Sequence, residues 1–361
     1  MAKAPFNFVI AGGGTGGHVM PALAVARELR ARGASARFIG TRNGMEAKLV
    51  PADDFPIDWI EVGGLNRVGW RRAAETLIDL PLSIWKAARL LDAANAAAVF
   101  STGGYVAGPV LIAALWKRLP VVVMEPNAIP GFTHRRIARF VRRALVSFPE
   151  TARWFPKGRT EVTGMPVRDE FFALASKPLA AKISLLVTGG SQGSRTLNRA
   201  AEESWPLWKK DEIRLVHQAG AKTWEEIAAR FAASGVRGEV AGFLPDMARA
   251  FSEADLLVSR AGMSTVSEIA AAGKPSILVP LPTAADQHQL KNAEAMERAG
   301  AARLVLDKDM NGARLVEEVR RLVADAATLP RMALAARSFA KPGAASRAAE
   351  ILMEVAESRG F

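Results

Sequence analysis

The 361-residue chain has no cysteine, a single tyrosine and only four histidines. Without cysteine there is no disulfide framework, no thiolate metal site and no cysteine nucleophile, which fits a reducing compartment. One tyrosine leaves an aromatic stacking platform for bases poorly supplied. Nowhere do about 18 apolar residues run uninterrupted, the length a membrane-spanning helix needs. The nearest stretch, Val106 to Trp116, carries Gly108 and Pro109. Ahead of the first glycines only Phe6 to Ala11 is apolar, too short for the h-region of a secretory signal. The expectation is a cytoplasmic chain that does not span a membrane.

Basic residues are plentiful, 48 Lys and Arg against 36 Asp and Glu, a formal charge of +12. Such an excess calls for an anionic partner: nucleic acid, anionic lipid headgroups or a phosphorylated substrate. The cations are spread along the chain without a nucleic-acid motif, so no nucleic acid is expected, and phosphate and lipid are favoured. At this length and 50% hydrophobic content the chain fills two ordinary cores, and two α/β domains are expected.

Twice a strand runs through a glycine-rich loop into a helix: Phe6–Gly12 into Gly12-Gly13-Gly14-Thr15-Gly16-Gly17-His18, and Ile183–Thr188 into Gly189-Gly190-Ser191-Gln192-Gly193. Such a loop aims backbone N–H groups and a positive helix end at one spot, a ready anion site. Further strands are expected near 36–39, 98–101, 120–124, 214–218, 239–241, 256–259 and 276–279, with helices between them, as a parallel sheet requires. This places a first domain at 1–163, a second at 164–341, and a last helix within 342–361 that packs back on the first. Loops at the carboxyl ends of the strands should gather at one rim of each domain, facing a cleft. Gly12, Gly14 and Gly17 satisfy G-x-G-x-x-G, yet no acidic residue follows the second strand to hold a ribose, and Arg42 there leaves NADP open.

The glycine loops, together with Gly103-Gly104-Tyr105-Val106-Ala107-Gly108-Pro109, the run Arg260-Ala261-Gly262-Met263-Ser264-Thr265-Val266-Ser267-Glu268, and Asp286-Gln287-His288-Gln289, closely resemble the MurG family. These are the UDP-N-acetylglucosamine:lipid I N-acetylglucosaminyltransferases of bacterial peptidoglycan synthesis. The resemblance covers nearly the whole chain. It implies an α/β GT-B fold of two Rossmann-like parallel-sheet domains facing a deep cleft, and no cofactor. It also implies transfer of GlcNAc from UDP-GlcNAc, with inversion, to the C4 hydroxyl of MurNAc in undecaprenyl-pyrophosphoryl-MurNAc-pentapeptide. The chain departs from the family pattern at Pro126 and Met165, while Asn127 and Arg168 keep their places.

Inverting transfer needs a base for the acceptor hydroxyl and a holder for the departing UDP. His18 is the expected base, because the positive helix end beside it disfavours imidazolium, and Glu125 is its rival. Arg168 and Ser191 are expected on the diphosphate, with the helix opened by Gly262, Met263, Ser264, Thr265 and Val266 adding a positive end. Glu268 would take the ribose hydroxyls, His288 and Gln289 the donor sugar, Asn127 the GlcNAc, and Leu244 the uracil. Thr15, Gly16 and Gly17 would line the floor for the donor sugar or the acceptor pyrophosphate. Gly13, Gly14, Gly103, Gly104 and Tyr105 would meet the acceptor. Asp307-Lys308-Asp309 reads as a solvated loop, and no metal site is expected.

A lipid-linked acceptor requires a visit to the bilayer. Between Trp70 and Leu91, Leu77, Ile78, Leu80, Leu82, Ile84 and Trp85 mix with Arg71, Arg72, Lys86 and Arg89; Trp116 is followed by Lys117 and Arg118. Apolar groups ringed by cations suit an anionic phospholipid surface, here the cytoplasmic face of the inner membrane. A plain core helix gives the same periodicity. A soluble UDP-sugar epimerase and a non-catalytic basic binding protein are the competing readings.

Overall fold

The structure, a computed structural model, describes residues 6–62, 70–175 and 182–358, and the side chains of all of these except 70–79. The chain divides into two compact units, Met1–Pro166 with Gly343–Phe361, and Val167–Pro342.

The first unit alternates strand and helix: β1 Asn7–Gly12, α1 Gly16–Ala31, β2 Ser35–Gly40, α2 Glu46–Ala52, β3 Ile57–Trp59, α3 Trp70–Ala93, β4 Ala98–Gly103, α4 Ala107–Trp116, β5 Val121–Glu125, α5 Phe132–Ile137, β6 Arg143–Val146 and β7 Thr160–Val162. All seven strands are parallel, in the order β3-β2-β1-β4-β5-β6-β7. Their central members are buried on both faces, so they read as apolar runs rather than alternations. One face packs Phe8, Ile10 and Phe100 under α1; the other packs Val9, Val99 and Val123 under α3 and α4.

Gly108 and Pro109 do not interrupt the helix of the 106–116 stretch. They fall in the first turn of α4, where amides have no intrahelical acceptor and proline costs nothing. Among the described residues no helix is long and apolar enough to cross a membrane.

The second unit runs α6 Asp169–Phe172, β8 Ile183–Thr188, α7 Arg195–Ser204, β9 Ile213–Gln218, α8 Trp224–Ala232, β10 Arg237–Ala241, α9 Met247–Glu253, β11 Leu256–Ser259, α10 Met263–Ala272, β12 Ser276–Leu278, α11 His288–Arg298, β13 Ala302–Leu304, α12 Gly312–Val323 and α13 Thr328–Arg337. Its six strands are parallel, in the order β10-β9-β8-β11-β12-β13. Helix α14, Ala344–Glu357, belongs to the first unit: Ile351, Leu352 and Val355 join its core against α1. Arg347 ties the helix to β7 through Glu161, at 2.7 Å.

Candidate functional site

In the first unit β1, β4 and β5 are consecutive neighbours, so their carboxyl ends bring the loops after Gly12, Gly103 and Glu125 side by side. The first two loops touch backbone to backbone. Gly104 has φ +88°, and a Cβ there would lie 2.2 Å from the Gly13 carbonyl oxygen. Only glycine permits both the left-handed turn and this approach. A Cβ on Gly14, φ +89°, would meet the Tyr105 ring at 2.6 Å.

This contact seats His18 against the end of β4. Thr102 Oγ1 donates to the His18 carbonyl at 2.8 Å, and His18 Nδ1 lies 2.8 Å from the Thr102 carbonyl oxygen. A carbonyl only accepts, so Nδ1 carries the proton and the neutral ring has its lone pair on Nε2. That is the tautomer a general base requires.

Not every loop amide faces outward, which corrects the anion cradle expected from glycine content alone. Glu46, fully buried at the start of α2, accepts from Gly14 N at 2.8 Å, Thr41 N at 3.0 Å and Thr41 Oγ1 at 2.8 Å. Because the Thr41 hydroxyl donates to Glu46, the Tyr105 hydroxyl, 3.0 Å away, donates to Thr41. Gly13 N–H in turn points to the Gly103 carbonyl. Gly16 and Gly17, at the start of α1, keep amides with no intrahelical acceptor.

Glu125 is buried at the end of β5. Its carboxylate accepts from Asn127 N at 3.0 Å, Asn127 Nδ2 at 3.1 Å, Gly131 N at 3.0 Å and His134 Nδ1 at 2.8 Å. Burial pushes its pKa up, but the His134 hydrogen bond and charge and the two loop amides outweigh this and hold it below the usual range. A carboxylate held this way is a weak proton acceptor. The second ring nitrogen of His134 lies 3.3 Å from Ser101 Oγ, which accepts the Gly103 amide at 3.1 Å. Gly103 thus sits between the rings of His134 and His18: a Cβ there would be 3.5 Å and 3.3 Å from them.

In the second unit β8, β11 and β12 are adjacent and carry Ser191, Gly262–Glu268 and His288–Gln289 on the segments that follow them. Ser191 is exposed in the second glycine loop, where Gly193, φ +72°, abuts the Ala219 carbonyl. Gly262 is the N-cap of α10, so Met263, Ser264 and Thr265 form its first turn, while Val266 is buried. Glu268 lies one turn further, with a quarter of its side chain exposed, and Arg168 Nη2 is 3.7 Å from it. Burial pushes the Glu268 carboxyl up to about 7, opposed by Arg168 and reinforced by Glu170. Arg168 also pairs with Glu170 at 2.8 Å and stacks over Phe171.

Gln289 lies beside Gly262, and its Oε1 accepts from Leu281 N at 3.0 Å. His288 Nδ1 is buried and has no hydrogen-bond partner among the described residues. Two consecutive left-handed residues, Asp286 and Gln287 (φ 48° and 55°), lead into α11. Such backbone costs about 1–3 kcal/mol per residue and concentrates at ligand sites. Leu244 follows β10, at the sheet edge, two strands from β8.

Asp307 is not the solvated loop expected: it is an ion-pair partner of Arg260, whose Nη1 also donates to the Val279 carbonyl at 3.1 Å. Asn198 and His217 form a buried pair at 3.1 Å; desolvation pulls His217 down to about 4, so it is neutral, and Asn198 Nδ2 binds the Ala219 carbonyl at 2.9 Å. Among the described residues no three acidic or histidine groups come together as a metal site.

Trp85, Trp116, Leu82 and Ile112 are exposed on the adjoining helices α3 and α4, and Arg89 stacks over Trp85 at 4.9 Å. Lys117 pairs with Asp92 at 2.6 Å, whereas Arg118 is exposed. The Arg71, Arg72, Leu77 and Ile78 positions lie outside the described side chains. Sequence reasoning did not find Phe132 and Phe140, both exposed with Arg136 and Arg139 stacked on them.

Residues 8–146 match the family model described as the glycosyltransferase family 28 N-terminal domain, and 184–348 that of its C-terminal domain. Over 97% of its length the chain is 59% identical to a Solibacter usitatus protein named UDP-N-acetylglucosamine–N-acetylmuramyl-(pentapeptide) pyrophosphoryl-undecaprenol N-acetylglucosamine transferase, 96% of which is covered. A protein of the same name from Nitrosococcus oceani is 42% identical over 96% of the chain and 98% of its own length. The crystal structure of Acinetobacter baumannii MurG superposes with TM-score 0.82 at 31% identity, over 97% of this chain and 100% of that one.

Proposed function

The chain belongs to glycosyltransferase family 28, and we propose from that premise that it is the inverting transferase that moves GlcNAc from UDP-GlcNAc to the C4 hydroxyl of the MurNAc unit in undecaprenyl-pyrophosphoryl-MurNAc-pentapeptide. The observation that carries this reading is its near-full-length relationship, at 59% identity, to a transferase so named.

In this reading the first unit holds the acceptor and the second the donor. His18 Nε2 takes the proton from the acceptor hydroxyl as that oxygen attacks the anomeric carbon, so the α linkage of the donor becomes β. The Thr102 carbonyl keeps the ring in the competent tautomer. Glu125 acts as a positioning residue, holding Asn127 toward the GlcNAc. Departing UDP leaves as an anion; Arg168, Ser191 and the first turn of α10 are the groups assigned to it. Glu268, as carboxylate, takes the ribose hydroxyls, with Gln289 and His288 near the donor sugar and Leu244 near the uracil. No residue is assigned to a metal or cofactor.

For the acceptor to be reached, the first unit must rest on the bilayer at the cytoplasmic face of the inner membrane. Exposed Leu82, Trp85, Ile112 and Trp116 would enter the headgroup boundary, and Arg89, Arg118, Arg136 and Arg139 would meet anionic phospholipid. Lys117, paired with Asp92, contributes less.

Incorporation of labelled GlcNAc into a lipid-extractable product, with a short-chain acceptor analogue, tests the reading. Donor consumption without such a product would sink it in favour of an epimerase or hydrolase.

A further inference from the structure

A cavity of about 690 Å³ opens in the first unit beside Tyr105, walled by Arg42, Trp59, Ile60, Glu61 and Lys86. It lies where the ends of β2, β3 and β4 meet α3, on the rim where parallel sheets bind ligands. Among the described lining residues two bear cations, Arg42 after β2 and Lys86 on α3, and one, Glu61, a carboxylate. The guanidinium of Arg42 stacks over the Trp59 ring at 5.1 Å. Tyr105 is fixed at the mouth by its hydroxyl on Thr41 and its ring on Gly14. Two residues before Tyr105, Gly103 lies against the His18 ring.

We propose that this cavity binds the peptide of the acceptor, with Arg42 and Lys86 on its terminal carboxylate and Trp59 and Ile60 against its side chains. The inference rests on the transferase reading above. In a muramyl sugar the peptide hangs from the lactyl ether on C3, the carbon next to the C4 whose hydroxyl reacts. With that hydroxyl at His18, the peptide leaves the sugar beside Gly103 and Tyr105, where the cavity begins. Joined through its N-terminus to the lactyl carboxyl, the peptide keeps a free C-terminal carboxylate, the group a guanidinium fork and an ammonium recognise. The volume lies within the range of small-ligand sites.

Steady-state kinetics with two soluble short-chain acceptors tests this without a bilayer: one bearing the pentapeptide, one ending at a lactyl amide. For the pentapeptide acceptor, Arg42→Ala and Lys86→Ala are each expected to raise the acceptor KM roughly 10-fold, the scale of a charge-assisted hydrogen bond, with the UDP-GlcNAc KM unmoved. On the lactyl amide acceptor the same variants differ from the parent by less than about 2-fold. Amidating the C-terminus of the pentapeptide should weaken the parent at least as much as Arg42→Ala does, and leave the Arg42→Ala, Lys86→Ala double variant indifferent. An equal penalty on both acceptors, or none on either, overturns the peptide site while the transferase reading stands. A parent that transfers to neither acceptor takes both down.

Discussion

His18 Nδ1 and the carbonyl oxygen of Thr102, 84 residues apart in the chain, lie 2.8 Å from one another across the junction of two glycine loops. The carbonyl decides which nitrogen carries the proton, and thereby presents Nε2 as the acceptor. Replacing His18 by Ala or Gln is expected to lower kcat by about 10²–10⁴ with little change in the UDP-GlcNAc KM, the signature of a lost general base. Transfer kinetics with a saturating soluble acceptor check this; a change confined to KM would reassign His18 to binding.

Glu125 is expected to matter for folding as well as turnover. Glu125→Ala leaves His134, Gly131 and Asn127 without their buried acceptor, a loss of about 3–5 kcal/mol. Since the folded pKa is depressed, the stabilisation is fully present above the unfolded carboxylate value and is lost as pH falls through the folded one. Urea unfolding at several pH values should show the parent weakening in acid more steeply than Glu125→Gln.

Glu268 titrates in the opposite sense. Its folded pKa is raised to about 7, so its burial favours the fold in acid and opposes it as pH climbs from the usual carboxylate range through about 7. Only the ionised form accepts two ribose hydroxyls. Donor affinity should therefore rise with pH across about 7, and Glu268→Gln should bind weakly and without that rise. Calorimetric titration of UDP-GlcNAc between pH 6 and 8 reads both.

Gly104→Ala places a Cβ 2.2 Å from the Gly13 carbonyl at φ +88°. The expected cost is about 1–3 kcal/mol of strain, or a parting of the two loops that lowers kcat through His18. Thermal unfolding and turnover together distinguish the outcomes; an unchanged protein on both counts would mean the loops are not locked.

Trp85→Glu with Trp116→Glu should abolish sedimentation with anionic vesicles while leaving transfer to a short-chain acceptor near the parental rate. Loss of both would place these tryptophans in the fold rather than on a lipid surface.

Elements of five or six residues with a long apolar run, such as β1 and β8, and the glycine turns after them, were legible because burial on both faces writes itself into local composition. The strands β3, β6 and β7 were not, although β11 and β12 of the same length were: β11 and β12 are buried throughout, whereas β3 and β7 are only half-buried and β6 opens on Arg143, so their pairing comes from neighbours in the sheet. Sequence by itself determined the doubling of the parallel-sheet unit, the glycine loops, and the residue types offered for chemistry. Only the tertiary structure decided which groups those loops serve. Glu46, His134 and Asp307 look in sequence like solvated charges or a surface histidine, yet folding sets each against a partner 32, 9 and 47 residues away. A buried charge is stable only where distant backbone and side chains converge to satisfy it, and that convergence exists only in three dimensions.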